Sequence, residues 1–144
     1  MLDRQFIYKK LEMLSGYTDT LERFLANKDI ETIKKDEVLL PAIERYFQMT
    51  VDSMLDINIH IIRENNLGAP DELQSTFKQL GEFKVLDKNF AEKIAPIVGA
   101  RNMLVHRYDK LDKNLFLRNL QNNFPDFQTY LKAIQSFINL ETKT

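Results

Sequence analysis

An uninterrupted helical period in the first half of the chain constrains the fold most strongly. After Pro41 no proline or glycine occurs before Gly68, and apolar side chains recur at three- and four-residue steps. Proline is tolerated only in the first turn of a helix, so this helix begins between Asp36 and Pro41. It runs to about Glu64, and the turn-forming residues 65–70 end it. Its apolar positions are Ile43, Phe47, Val51, Met54, Leu55, Ile59 and Ile62.

Helical periods also cover most of the remaining chain, and no alternating period persists long enough to indicate a sheet. We therefore predict a single all-α domain over residues 1–144, an antiparallel bundle of about five helices. At close to thirty residues, the second helix is long enough to be the central element. The other predicted helical segments are 3–26, 71–84, a fourth that continues into residues 99–109, and 113–140.

Capping and helix-breaking residues predict where these segments begin and bend. Asp3 and Asp87 are suited to cap the first and fourth helices, because a carboxylate accepts the free N–H groups of a first turn. Residues 29–35 form a charged connector with room for one short helical turn. Pro96 is expected to kink or loosen the fourth helix, and Pro125 to kink or divide the last.

The composition argues against several classes of function. The chain has no cysteine, so it has no disulfide framework and no thiolate nucleophile. Its two histidines, His60 and His106, are far apart in sequence, which argues against a catalytic zinc site, and we expect no metal ligands. The net charge is −1, so contact with RNA requires a local basic patch. Without a long apolar run or a recognisable signal peptide, we expect a cytoplasmic protein with no membrane contact.

Four polar residues with complementary chemistry are concentrated in the stretch GARNMLVHRYD. If this stretch is helical throughout, Arg101, Asn102, His106 and Tyr108 lie within an arc of roughly 160°. Arg101 and Tyr108 then share one line along the helix, and Asn102 and His106 share the neighbouring line. All four can face one cleft while the apolar residues 103–105 anchor the opposite side.

The chemistry of this set suits cleavage of a phosphodiester without a metal ion. The planar fork of Arg101 is a permanent cation that matches two phosphate oxygens. His106 can give or take a proton near neutral pH, and Asn102 can orient a hydroxyl or the imidazole. Tyr108 supplies a phenol and a flat ring on which a base can stack.

The pattern R-x-x-x-x-H-x-Y, with Asn directly after the Arg, resembles the signature of the HEPN superfamily. The fuller string and the helices around it are similar to the HepT branch, small toxin ribonucleases paired with a minimal nucleotidyltransferase antitoxin, MntA. The resemblance covers residues 3–137 and holds at all four motif positions. It implies a two-fold dimer in which two motif copies form one cleft. It also implies that the antitoxin, using ATP-Mg, transfers AMP to Tyr108.

The predicted function is therefore that of a metal-independent endoribonuclease with no cofactor of its own. A 2′-hydroxyl attacks the adjacent phosphodiester and leaves a 2′,3′-cyclic phosphate and a 5′-hydroxyl. His106 acts as general base or acid, Arg101 neutralises charge on the phosphate oxygens, and Asn102 positions His106 or the phosphate. Because one histidine does not readily serve as both acid and base, a homodimer supplies the second.

Residues outside the motif are candidates for supporting roles. Arg107, Lys110 and Lys113 lie close to the motif in sequence and are predicted to attract RNA phosphates. Asp56 and His60 lie one helical turn apart, so they can hydrogen-bond and support the motif from behind, although a purely structural pair is favoured.

Two alternative functions remain open at the level of the sequence. The chain can be a non-catalytic nucleotide- or substrate-binding subunit of a two-component nucleotidyltransferase, because binding and cleavage use the same groups. A plain helical scaffold that dimerises is the second alternative, but it leaves the clustering of four polar groups unexplained.

Overall fold

The computed structural model describes the backbone of residues 2–143 and the side chains of residues 2–140. Within this range the chain forms eight α-helices and one 3₁₀ turn and contains no β-strand, which confirms the predicted all-α class. The elements are α1 Arg4–Leu25, α2 Ile30–Lys35, α3 Leu39–Glu64, α4 Ser75–Glu82, α5 Lys88–Ile94, α6 Ile97–His106, the 3₁₀ turn Tyr108–Lys110, α7 Lys113–Asn122 and α8 Pro125–Lys143.

Aspartate side chains begin several of these helices, as the sequence predicted for two of them. The Asp3 carboxylate accepts the N–H of Phe6 at 3.1 Å and begins α1. Asp87 likewise accepts the N–H of Phe90 at 3.1 Å at the start of α5. Each bond satisfies an N–H group that has no partner within its own helix.

The structure contains more helices than the predicted five because three segments are divided or extended. The connector at 29–35 forms α2, whose buried Ile33 anchors it to the core. Pro96 separates α5 from α6, and Pro125 is the first residue of α8. Proline lacks an N–H group, so it fits the start of a helix and interrupts the interior. The helix predicted over residues 71–84 begins later than predicted, at Ser75.

Helix α3 is the central element, as its length and pattern predicted. It contacts α1, α2, α4 and α6. A buried polar network joins it to the C-terminal half of the chain. The Tyr130 hydroxyl donates to Asn58 Oδ1 at 2.6 Å, and Asn58 Nδ2 donates to Thr76 Oγ1 at 3.1 Å. These bonds fix α8, α3 and α4 in one arrangement, because a satisfied buried network specifies a unique core.

Every helix in the described part of the chain is too short or too polar to span a bilayer.

Candidate nuclease groove and tyrosine site

The motif begins in α6 and continues past the end of this helix. Arg101, Asn102 and His106 lie in α6, whose last residue is His106. Arg107 leaves the helical conformation at φ −140° and ψ 48°, and Tyr108 begins the 3₁₀ turn. The expectation that Arg101 and Tyr108 share one line along a continuous helix is therefore wrong. The turn sends Tyr108 in a direction that the helical period does not predict.

Three of the four motif residues face one open groove of about 320 Å³. The groove is lined by Arg101, Asn102, His106 and Arg107 together with Leu73, which comes from the segment before α4. The side chains of Asn102, His106 and Arg107 are exposed, so a ligand as large as RNA can reach them. The groove brings a fixed cation, an amide and an imidazole within reach of a single phosphate group.

The guanidinium of Arg101 is oriented by two hydrogen bonds. Its Nε donates to Asp52 Oδ1 of α3 at 2.8 Å, and its Nη1 donates to Asn102 Oδ1 at 2.9 Å. The remaining N–H groups of Arg101 have no partner within the described part of the chain. They are therefore free to bind phosphate oxygens, and the ion pair with Asp52 limits the conformations of the side chain before the ligand arrives.

The bond to Arg101 also determines which end of the Asn102 amide is available. Since Oδ1 accepts from the guanidinium, the two N–H groups of Nδ2 remain as donors. His106 follows Asn102 by one helical turn, so the two side chains lie on the same face of α6. Among the described residues, the exposed imidazole of His106 has no hydrogen-bond partner. Asn102 can thus donate to a phosphate oxygen or to an unprotonated nitrogen of His106.

Tyr108 lies beside the groove rather than in its lining, so the prediction that four residues share one cleft holds for three of them. Its hydroxyl donates to the Glu44 carboxylate, whose two oxygens are both 2.9 Å away. The Lys113 Nζ lies 5.1 Å from the centre of the Tyr108 ring. The tyrosine is 43% exposed, whereas Glu44 is only 8% exposed. Tyr108 is thus reachable from solvent while its oxygen is held against a buried carboxylate.

Burial shifts the pKa values of both partners in this contact. Desolvation raises the pKa of Glu44, although the Tyr108 hydrogen bond and the charge of Lys113 act in the opposite direction. Desolvation also raises the pKa of Tyr108, and the hydrogen bond and negative charge of Glu44 raise it further. Tyr108 is therefore a neutral phenol at neutral pH, and its oxygen is a weak nucleophile unless a base takes the proton.

Asp52 and Glu44 are the two site residues that the sequence analysis missed. They lie eight positions apart on α3 and meet Arg101 and Tyr108, which are seven positions apart on the motif. The earlier residue of α3, Glu44, meets the later residue of the motif, Tyr108, and Asp52 meets Arg101. The two segments therefore lie antiparallel. In the sequence, Glu44, Gln48 and Asp52 follow one another at four-residue steps beside the apolar stripe of α3, which is also the pattern of a solvated helix face, so the sequence carried no specific signal for either residue.

The candidate supporting residues fall into two groups. Arg107 lines the groove and Lys113 contacts Tyr108, whereas Lys110 is exposed at the end of the 3₁₀ turn. The proposed bond between Asp56 and His60 is not formed, because both residues bind the first helix and its cap instead.

Asp56 accepts from Lys10 Nζ at 2.9 Å, and His60 Nε2 accepts the backbone N–H of Asp3 at 3.0 Å. The His60 ring also lies 4.9 Å from the Phe6 ring, measured between centroids. These contacts hold α1 against α3 and do not involve the motif, so the two residues have the structural role that the sequence favoured and not the alternative role of supporting the motif from behind. Among the described residues, no three His, Asp or Glu side chains are placed to hold a metal ion.

The family described as "Ribonuclease HepT-like" matches residues 14–134. The chain is 30% identical over 137 residues to the tRNA nuclease HepT of Aphanizomenon flos-aquae, a match that covers 92% of this chain and 89% of that protein. It is 25% identical over 108 residues to the mRNA nuclease HepT of Shewanella oneidensis, covering 75% of this chain and 81% of that protein.

Solved structures show the same fold. The tri-AMPylated HEPN toxin of Shewanella oneidensis, in complex with its MNT antitoxin, aligns with a TM-score of 0.82 at 23% identity over 94% of this chain and 99% of that one. YutE, a cytosolic protein from Bacillus subtilis, aligns with a TM-score of 0.84 at 19% identity over 97% and 93%. This chain therefore belongs to the ribonuclease HepT-like family and is an endoribonuclease.

Proposed function

We propose that the chain is the toxin of a toxin–antitoxin pair and that it cleaves RNA, without a metal ion, at the groove lined by Arg101, Asn102 and His106. The observation that carries the proposal is their convergence on one open groove, with the guanidinium already oriented by Asp52. Because the two named relatives act on different RNAs, a tRNA and an mRNA, the substrate is proposed only as RNA. The groove geometry fits binding as well as cleavage, and the two nuclease relatives favour cleavage.

The proposed reaction uses the 2′-hydroxyl of the RNA as the nucleophile. An unprotonated His106 accepts the proton of the 2′-hydroxyl as its oxygen forms a bond to phosphorus. The bond from phosphorus to the 5′-oxygen breaks, and that oxygen takes a proton from a second, protonated imidazole. Arg101 stabilises the negative charge on the phosphate oxygens, and Asn102 donates to the same group. The products are a 2′,3′-cyclic phosphate and a 5′-hydroxyl.

The surface of α6 supports a two-fold dimer as the source of the second imidazole. Of the ten residues of α6, all within the described range, only Val98 is buried, and Val105 is 40% exposed. A helix that is apolar on several sides normally packs on several sides, so a second copy of the chain is the proposed cover. That arrangement would bring the two grooves together. The apolar residues of α6 are Ile97, Val98, Ala100, Met103, Leu104 and Val105.

Analysis of the product ends tests the reaction directly. We expect the purified chain to cleave RNA at an undiminished rate in EDTA and to leave 2′,3′-cyclic phosphate and 5′-hydroxyl ends. Mass spectrometry of the fragments distinguishes these ends from the 3′-hydroxyl and 5′-phosphate that attack by metal-activated water leaves. Loss of cleavage in EDTA, restored by Mg²⁺, would overturn the metal-free mechanism.

A mixed dimer tests whether the site needs both imidazoles. A wild-type subunit and a His106→Ala subunit with different affinity tags can be isolated as one dimer. If the two histidines act as acid and base on one linkage, we expect the activity to fall by about 10²-fold or more. A dimer with two independent sites would instead retain about half of the wild-type activity.

Regulation through Tyr108 is the second part of the proposal. We propose that the nucleotidyltransferase antitoxin, using ATP-Mg, transfers AMP to the Tyr108 hydroxyl and thereby silences the nuclease. The exposure of the ring makes the residue accessible, and the neighbouring Lys113 can pair with the added phosphate. The adenylyl group adds bulk and negative charge next to the groove, where it opposes the binding of RNA phosphates.

A further inference from the structure

Glu44 is a buried carboxylate that RNA cleavage does not use. It lies on α3, is 8% exposed, and has no Lys or Arg of the described residues within ion-pairing distance. Its hydrogen-bond partner is the hydroxyl of Tyr108, which lies 2.9 Å from both carboxylate oxygens. Burying a carboxylate is unfavourable, and an apolar residue of similar size would pack the core better. The placement therefore indicates a chemical role at the tyrosine oxygen.

We propose that Glu44 is the proton acceptor for adenylylation of Tyr108. This inference rests on the proposed modification of Tyr108 by the antitoxin. The tyrosine oxygen forms a bond to the α-phosphorus of ATP, and the bond from that phosphorus to the β-phosphate oxygen breaks. Pyrophosphate leaves with the electron pair, and the phenolic proton moves to an oxygen of Glu44. The antitoxin supplies the nucleotide and its Mg²⁺, and this chain supplies the nucleophile and the base.

The contact places the base where the reaction requires it. A phenol with a raised pKa is a poor nucleophile at neutral pH, so it gains most from a base that is already hydrogen-bonded to it. Burial also raises the pKa of Glu44, which makes its ionised form a better proton acceptor than an exposed glutamate. The hydrogen bond orients the proton toward Glu44 and leaves the lone pairs of the oxygen for phosphorus.

The product is also more stable once Glu44 has taken the proton. An ionised carboxylate beside the new phosphodiester would repel it, whereas the protonated Glu44 is neutral. Lys113, whose Nζ lies 5.1 Å from the Tyr108 ring centre, can then pair with the phosphate. Negative charge near the tyrosine thus moves from the Glu44 carboxylate to the new phosphodiester. Lys113 is close enough to pair with it.

The test is the rate of AMP transfer as a function of pH. The full-length chain is incubated with its antitoxin, ATP and Mg²⁺, and modification of Tyr108 is followed by mass spectrometry in single turnovers. We expect Glu44→Gln, which keeps the shape and can still accept the phenolic hydrogen bond, to slow transfer by about 10²-fold or more. The matched control is Glu37→Gln, the same change at an exposed position, which should transfer at the wild-type rate.

The pH profiles separate a chemical role from a structural one. The wild-type rate should rise as Glu44 ionises and then level off, because only the carboxylate accepts a proton. The rate of Glu44→Gln should continue to rise toward the pKa of the phenol, since deprotonation in solution replaces the base. The rate of AMP transfer to Glu44→Asp should recover in part and should again reach a plateau. RNA cleavage by Glu44→Gln, Glu44→Asp and Glu37→Gln should stay at the wild-type level.

Two results would overturn the inference on its own. One is transfer to Glu44→Gln at the wild-type rate. The other is a slow Gln variant whose pH profile keeps the wild-type plateau, which would indicate that Glu44 only holds the turn. A wild-type chain that gains no mass with antitoxin and ATP-Mg would instead overturn the proposed regulation, and the role of Glu44 with it.

Discussion

Replacement of His106 by alanine should abolish RNA cleavage while leaving the fold intact. In a dimer the substitution removes both the base and the acid, and each proton transfer contributes about 10²–10⁴-fold to the rate. The side chain is exposed and has no hydrogen-bond partner among the described residues, so its removal leaves no buried group unsatisfied. The rate of cleavage of a labelled RNA, together with thermal unfolding followed by circular dichroism, separates the two effects.

His60→Ala is the matched control for this experiment. His60 accepts the N–H of Asp3 and packs on Phe6, so its loss should destabilise the start of α1 by about 1 kcal/mol. The nuclease rate of the folded His60 variant should equal that of the wild type. Full activity in an Arg101→Ala, His106→Ala double variant would end the assignment of the groove as the nuclease site.

Replacement of Tyr108 by phenylalanine should produce a toxin that its antitoxin cannot silence. The variant lacks the oxygen to which AMP is proposed to be transferred, so no mass gain is expected with antitoxin and ATP-Mg. RNA cleavage and growth arrest should then persist when the two proteins are expressed together. The folded state should lose about 1–3 kcal/mol, because the buried Glu44 carboxylate loses its hydrogen-bond donor.

Tyr8→Phe provides the control, because Tyr8 is also an exposed tyrosine, at 47% against 43% for Tyr108. That variant should be modified and silenced like the wild type. If Tyr108→Phe is still silenced, and silencing still requires the catalytic residues of the antitoxin, the AMP acceptor is a different group. Binding by the antitoxin without catalysis would be recognised by silencing in the absence of ATP.

The local features of this chain were predicted correctly where neighbouring residues decide them. Asp3 and Asp87 cap helices because the carboxylate and its N–H partner lie three residues apart. Arg101, Asn102 and His106 face one groove because a single helix carries all three, and the helical period determines their directions. The two helix divisions follow proline for an equally local reason, the missing N–H group.

The features that were missed depend on residues far apart in the sequence. Tyr108 begins the 3₁₀ turn after α6 has ended, and its hydroxyl binds the carboxylate of Glu44, which lies 64 residues earlier. Asp56 and His60 satisfy a helical spacing, but Lys10 and Asp3 of the packed first helix compete for them and bind both. Neither outcome can be derived from a period, because it depends on which helix lies opposite.

By itself, the sequence determined the all-α class, the central helix and the polar set that we propose cleaves RNA. These follow from spacing and from side-chain chemistry, which are properties of short segments. Only the packing of α3 against α6 and the turn that follows it decided that Asp52 orients Arg101 and that Glu44 binds Tyr108. Each of those contacts joins two segments that meet only in the folded chain, where partial burial strengthens hydrogen bonds and ion pairs.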